Sequence, residues 1–509
     1  MEYQSILFDQ HCSRPTSDES PLPVFLHDIH MDQIIQEIVK GKEACELEPL
    51  FYTKLEHMES IRYRSAIMEE IDHVVSVEAL ASFSQRMGRT REYVQYSHTS
   101  PDHEQRMKWL LDAASLYCQA IIELHRAMTA AQVQSHGLKR FYAWLNDYVH
   151  TSSFTSLHIE TTELHEEFSQ IQFNMTIADG KIKVSATDDD QDYCKLLSRV
   201  LLQGRGAEEE DFAIRLSAGL QLSDIEKGLL SVVRKHYPAP FRKLPKYYQK
   251  HLDFIDDSIM TFDRELQFCL ACLQYFHSLK HKGLTYSYPS ITASRELHIK
   301  GGYDLSLASS ALHGGQPVVG NHFDLTAAER ICVLTGPNQG GKTTFARSLG
   351  QILHLSSIGC PVPCQEAVIF EFDRIFTHFP SQELPGTHSG KLEDELLRLK
   401  PIVDAATDRS VIILNELFFT TTTHDAYAMG SKALRLFMQR GAMCLYVTHV
   451  FELAAAHERI VSLVAVTNEF DPAKRTFRIR RQPADGIVHA SSIVKKYDLT
   501  RQRIKERIQ

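Results

Sequence analysis

The stretch ICVLTGPNQGGKTT, residues 331–344, decides the fold of the C-terminal half. ICVLT is an apolar run of strand length, and TTFARSLGQIL, beginning at Thr343, is helical in pattern. Between them, glycines at 336, 340 and 341 let backbone N–H groups turn inward around an anion, at which the following helix points its positive dipole end. A Gly-x4-Gly-Lys-Thr run between a strand and a helix is the Walker A pattern. Gly336, Pro337, Asn338, Gln339, Gly340, Gly341, Lys342, Thr343 and Thr344 are therefore the expected ATP-binding loop. Lys342 is expected to reach the β- and γ-phosphates, and the Thr343 hydroxyl to ligate Mg²⁺.

Such a loop needs carboxylates on a neighbouring strand. SVIILNELFF, from Ser410, is strand-like and ends in Asn415-Glu416. Glu416 is the candidate base for water activation; the alternative is a strand-end carboxylate with no role. Asn415 stands where most such NTPases carry Asp, so one negative charge near Mg²⁺ is missing, although its amide oxygen still accepts a hydrogen bond from a metal-bound water. Weaker metal organisation and slow turnover are the expectation. A third strand, in MCLYVTHVFEL, ends in Thr448-His449. His449 is a candidate γ-phosphate sensor or an ordinary surface histidine.

The chain around these elements has 509 residues, 43% apolar and 23% charged, with net charge −9. That apolar fraction excludes wholesale disorder and fits several globular domains. The acidic balance argues against coating nucleic acid through bulk charge. The first residues lack a secretory signal, and no apolar run approaches the roughly 18 residues that span a bilayer. A cytoplasmic location without membrane attachment is the expectation. The close pairs Cys269/Cys272 and Cys360/Cys364 read as buried thiols in preference to a zinc site.

Residues 32–135 are almost free of glycine and read as helices, including a long one over 104–134. A second long helix is expected over 246–279. Between them QFNMTIADGKIKVSA alternates about Asp179-Gly180, a dipeptide that favours a two-residue hairpin turn. After residue 280, strand-like runs alternate with helical stretches, the pattern of an α/β domain with a largely parallel sheet.

With these residues in place, the chain resembles the MutS family of mismatch-repair ATPases. GPNQGGKTT is similar to the family's phosphate loop, NELFFTTTTHDA to its Walker B and following loop, and YVTHVFEL to its histidine switch. GIVHASSIVKKYDL, residues 486–499, resembles the family's closing motif. The resemblance implies an ABC-type ATPase that forms an ATP-dependent homodimer, each nucleotide being completed by the opposite subunit, with core, lever and clamp helices encircling DNA. The implied fold is multidomain: an all-α core and lever region with a small α+β clamp-like insert, then a C-terminal α/β P-loop ATPase domain. Its segments are a flexible leader (1–24), helical core and outgoing lever (25–135), clamp-like insert with hairpin (136–245), returning lever helix (246–280) and ATPase domain (281–509).

The sequence also departs from the family. The mismatch-reading wedge is Phe-x-Glu, yet none of Phe8, Phe25, Phe51 and Phe83 has Glu two positions later. A short leader before the core and no nuclease-like extension after the ATPase domain are the expectation. Phe418, Phe419 and Thr420 stand where the family has Gly-Arg-Gly, and Ser389 best matches its trans-acting serine. The expectation is thus a sensor of DNA structure or damage without a wedge of its own.

Residues 136–235 carry 11 Lys and Arg against 16 Asp and Glu, a net −5 that is poor for gripping phosphates. A better candidate is HYPAPFRKLPKYYQKH, residues 236–251, where Arg242, Lys243, Lys246 and Lys250 interleave with Tyr237, Phe241, Tyr247 and Tyr248. It reads either as a DNA contact or as a Pro-rich helix entry. Two functional classes remain: a DNA-structure-sensing clamp ATPase, and a conformational ATPase acting on a protein or ribonucleoprotein partner.

Overall fold

The computed structural model describes residues 5–11, 22–75, 77–178, 181–186, 224–312, 314–315, 317–380, 390–468 and 475–484. The chain is a mixed helical and α/β multidomain protein. It divides into two units that interleave in sequence: Val75–Gln132 with Tyr142–Asp263, and Gln4–Val74 with Val133–Phe141 and Arg264–Gln509.

The first unit is built on α1 (Val77–Thr99) and α2 (His103–Ala131). Asp102 caps α2 by accepting Gln105 N at 2.9 Å, satisfying an N–H that the helix cannot. Apolar residues at helical spacing, among them Leu110, Ala114, Tyr117, Ile121 and Leu124, put one face of α2 in the core. Thr151 caps α3 (Ser152–Ser169) in the same way as Asp102. The hairpin falls where Asp179-Gly180 predicts it. Strands β1 (Phe173–Ala178) and β2 (Lys181–Ala186) pair antiparallel with Ala178 opposite Lys181. The acidic runs 188–190 and 208–210 lie outside the described residues.

The expected returning helix is broken. α4 (Asp224–His236) and α5 (Pro238–Lys250) precede a turn at 251–256, and α6 (Asp257–His281) follows. Apolar periodicity continues through 246–279, but Asp256 Oδ1 accepts Ser258 N at 2.8 Å and favours a helix start there over a continuous helix. Pro238 likewise suits a first turn, where its missing N–H costs nothing.

In the second unit the segment read as a frayed leader is in part ordered core. Ile6 and Leu7 are fully buried. The Glu265 carboxylate accepts Ile6 N at 2.8 Å and Ser5 Oγ at 2.7 Å, while Arg64 Nε donates to Leu7 O at 3.1 Å. A buried carboxylate and guanidinium thus satisfy backbone that no regular element covers, a pairing of distant residues with no local sequence signature.

Two sheets complete this unit. β3 (Ser290–Thr292), β4 (Leu297–Gly302), β5 (Asn321–Leu325) and β7 (Glu366–Phe370) form a four-stranded sheet in the order β3-β7-β4-β5. The larger sheet takes β6 (Ile331–Thr335), β8 (Ile375–His378), β9 (Val411–Asn415), β10 (Met443–Val447), β11 (Ile460–Thr467) and β12 (Arg475–Arg481), in the order β12-β11-β6-β10-β9-β8. All its neighbours are parallel except the edge pair β11/β12. Every residue of β6, β9 and β10 is buried, as expected for parallel strands covered on both faces.

Strand alternation assigns the faces. Ile331, Val333, Ile412, Leu414 and Tyr446 join one cluster with Leu399 and Ile402 of α8 (Lys391–Ala405) and Leu434 and Phe437 of α9 (Thr423–Arg440). Out of phase with them, Ile413 meets Gly350 of α7 (Lys342–Ser357), where a Cβ would stand 3.3 Å from its Cδ1. Truncating a fully buried aromatic such as Phe437 to Ala would cost about 3–5 kcal/mol. The carboxyl ends of β6, β9 and β10, adjacent parallel strands, share one edge of this sheet, the usual ligand edge of an open α/β sheet.

Candidate functional site

The loop leaving β6 is strained in a way that only its composition permits. Gly336 has φ +128, and a Cβ there would stand 2.8 Å from Ala465 O. Gly341, the N-cap of α7, has φ +91. The turn brings Lys342 back over its own loop: Nζ donates to Gly336 O and Pro337 O, each at 3.0 Å, and the side chain is almost fully buried. Burial pushes the ammonium below the usual lysine range, Glu416 opposes that shift, and Arg475 adds to it. Asn338 and Gln339 are exposed at the loop's crest, and Thr344 is half-buried in the first turn of α7.

The neighbouring strands deliver the other candidates to the same edge. Thr343 Oγ1 donates to Asn415 Oδ1, the last residue of β9, at 3.3 Å. Glu416 N donates to Val447 O at 2.9 Å, joining the ends of β9 and β10. Glu416 Oε1 lies 2.9 Å from His449 Nε2. That hydrogen bond holds the carboxyl below its usual range, against the desolvation that would raise it. Loop, Asn415, Glu416 and His449 are brought together by three strand ends.

The backbone after Glu416 is unusual. Glu416 (φ +51) and Phe418 (φ +63) are both left-handed, a conformation that costs about 1–2 kcal/mol for a side-chain-bearing residue. Phe418 is 1% exposed, and its N–H donates to Glu395 Oε2 of α8 at 2.9 Å. A hydrogen bond to a charged group contributes about 1.5–3 kcal/mol, enough to offset that strain. Tyr446 OH donates to Leu417 O at 3.0 Å. The sequence reading missed Glu395, because an i to i+23 contact has no local pattern.

It missed Phe477 as well. This residue has φ +56, lies at a register shift between β11 and β12, and stands against Gly341, where a Cβ would be 3.5 Å from its ring. Asn321 holds it there, Nδ2 donating to Phe477 O at 3.0 Å and Oδ1 accepting Ile479 N at 2.8 Å. The basic strand RTFRIRR, residues 475–481, was the available signal.

In the first unit, the basic and aromatic segment is largely committed to packing. Lys243 pairs with Glu167, Lys250 with Glu160, and His251 Nε2 lies 2.9 Å from Glu160 Oε2. Phe241 meets Phe168 edge to face at 5.2 Å, and Tyr247 is buried with its hydroxyl 2.5 Å from Thr161 Oγ1. Arg242 and Lys246 are exposed and form no ion pair among the described residues. Ser389 and the 486–499 motif lie outside the described residues. Cys269, Cys272, Cys360 and Cys364 are fully buried. No helix among the described residues is long and apolar enough to cross a membrane.

Residues 332–500, which include all three strand ends, match the MutS domain V family. Over these residues the chain carries a domain of the MutS domain V family. It is 30% identical over 256 residues to the DNA mismatch repair protein MutS of Shouchella clausii (strain KSM-K16), a match covering 50% of this chain and 27% of that protein. The matched part therefore spans about a quarter of that relative's length.

Proposed function

We propose that this chain is an ABC-type ATPase that senses DNA structure or damage, hydrolysing ATP slowly at the edge formed by β6, β9 and β10. The observation that carries the reading is the meeting of Lys342 and Thr343 with Asn415, Glu416 and His449 at that edge. Phosphate charge would draw Lys342 Nζ from the two carbonyls it now bonds and would gather the N–H groups of the loop and of the first turn of α7. Thr343 and Asn415 present two neutral oxygens, donors of the hard type that fits Mg²⁺, which when bound supplies charge neutralisation to the phosphates. Glu416, kept ionised by His449, takes the proton of the attacking water. His449 Nε2 orients that carboxylate and is the candidate sensor of the γ-phosphate.

The reading includes the P-loop ATPase domain over 281–509 and the division of the remainder into leader, core and outgoing lever, clamp-like insert and returning lever. It also includes an ATP-dependent homodimer with Ser389 contributing in trans, and a cytoplasmic location, all supported by the relationship to MutS. A second reading, a conformational ATPase acting on a protein or ribonucleoprotein, is favoured by the ion pairing of Lys243 and Lys250 and by the acidic balance of 136–235. ATPase rates measured with and without branched, mismatched and single-stranded DNA at two fixed salt concentrations separate the two. Stimulation by branched or mismatched DNA supports the first, and DNA-independent hydrolysis supports the second. Absence of hydrolysis under all conditions overturns both.

A further inference from the structure

The segment Glu416-Leu417-Phe418 makes a sharp excursion between β9 and α9 with left-handed backbone at its first and third residues. Four hydrogen bonds from other elements hold it, beside a long local one from Thr421 N to Phe418 O at 3.5 Å. Three come from the end of β10: Glu416 N to Val447 O, Tyr446 OH to Leu417 O, and His449 Nε2 to the Glu416 carboxylate. The fourth comes from a different element, the Glu395 carboxylate of α8, which accepts Phe418 N at 2.9 Å. Phe418 has no freedom to adopt this φ as glycine would, so its conformation depends on what surrounds it.

Resting on the ATPase reading above, we infer that Glu395 is a positioning residue for hydrolysis: by pinning Phe418 N–H from α8, it fixes the left-handed turn that aims the Glu416 carboxylate. The β10 bonds set where Glu416 begins and where its side chain ends, and among the bonds from other elements the α8 bond is the one at the exit of the turn. With the pin removed, Phe418 relaxes toward right-handed backbone, the Leu417–Phe418 peptides rotate, and the Glu416 side chain leaves His449. Nucleotide binding is unaffected, because Lys342 and the loop after β6 form no hydrogen bond or ion pair with Glu395 among the described residues. The carboxylate acts here as an acceptor, so an amide oxygen at the same position suffices.

The test compares Glu395→Ala and Glu395→Gln with the parent full-length chain. Amide hydrogen exchange over residues 416–420 reads the pin without nucleotide. Glu395→Ala is expected to speed exchange of the Phe418 amide at least 10-fold with unchanged exchange in β9 and β10, and Glu395→Gln to restore protection. In hydrolysis, Glu395→Ala is expected to lower kcat about 10-fold while the affinity for a fluorescent ATP analogue stays within 2-fold, and Glu395→Gln to recover most of the rate. Unchanged exchange at Phe418 in Glu395→Ala overturns the inference. So does unchanged kcat in a parent that hydrolyses ATP, or a loss of analogue affinity equal to the loss of rate. A parent that fails to hydrolyse ATP overturns the ATPase reading and this inference together, which distinguishes the two failures.

Discussion

Thr343 Oγ1 lies 3.3 Å from Asn415 Oδ1, so the first turn of α7 and the end of β9 meet through two neutral oxygens. A carboxylate in place of the amide would keep the geometry and add a charge. Asn415→Asp is expected to lower the Mg²⁺ concentration that gives half-maximal ATPase activity and to raise the rate at limiting Mg²⁺. A Mg²⁺ titration checks this, and an unchanged midpoint removes Asn415 from the metal shell.

Lys342 is folded over the loop, and hydrogen bonds to charged groups contribute about 1.5–3 kcal/mol, which is roughly 10- to 100-fold in Kd. Lys342→Ala is expected to weaken binding of a fluorescent ATP analogue by at least that factor. The Gly336 and Pro337 carbonyls lose their partner in this variant, so its Tm is measured alongside. Unchanged affinity would take the loop out of the nucleotide site.

The hydrogen bond from His449 keeps the Glu416 carboxyl below the usual carboxylate range. A carboxyl depressed in the folded state contributes stability that is present above its unfolded value and is lost as pH falls through the folded value. The same ionised form is the one able to accept a proton. His449→Ala is therefore expected to shift the acid limb of the kcat profile upward in pH, with the effect concentrated below about pH 6. Profiles of parent and variant that superimpose in acid would separate His449 from the function of Glu416.

Glu416→Gln keeps the shape of the side chain and removes the proposed base, so ATP is expected to bind and persist. If bound nucleotide joins two copies, linkage requires that it favour the dimer. Sedimentation of Glu416→Gln at micromolar protein is expected to show a dimer with ATP and a monomer without. A monomer at saturating ATP contradicts the homodimer. Hydrolysis at the parental rate assigns the base elsewhere.

For DNA, the ion pairs of Lys243 and Lys250 reduce the count of available cations in 236–251 to Arg242 and Lys246. Replacing those two with Ala is expected to reduce the salt slope of log K by about 1.8, at roughly 0.9 per phosphate contact on duplex DNA. Contacts of this kind carry no base information, so the affinity loss should be equal across sequences. Equal slopes for parent and double variant assign the segment to packing, and a parent without DNA binding at low salt favours the protein-partner reading.

Much of the site was legible because its parts are local. A glycine loop between a strand and a helix, and polar pairs at the ends of apolar strands, are patterns within ten or so residues, and hydrophobic periodicity reports them directly. The pairing of Ala178 with Lys181 belongs to the same class, since the dipeptide between them favours a hairpin in the sequence. Failure came where the deciding partner is remote. Residues 5–11 look like a frayed end until the Glu265 carboxylate is placed on Ile6 N, and 246–279 look like one helix until Asp256 caps a new start. The cations of 236–251 look available until Glu160 and Glu167 are brought beside them.

By itself, then, the sequence determined that β6, its loop and α7 follow one another and that Asn415, Glu416 and His449 lie at or just past strand ends, because backbone propensity and side-chain alternation are properties of neighbouring residues. Only the tertiary structure decided that these strand ends share one edge, that Glu416 faces His449, and that Phe418 is held left-handed by Glu395. Strand order, register and the partner of a buried N–H are settled by which remote surfaces bury the most apolar area and leave the fewest polar groups unpaired, and that competition is resolved over the whole chain at once.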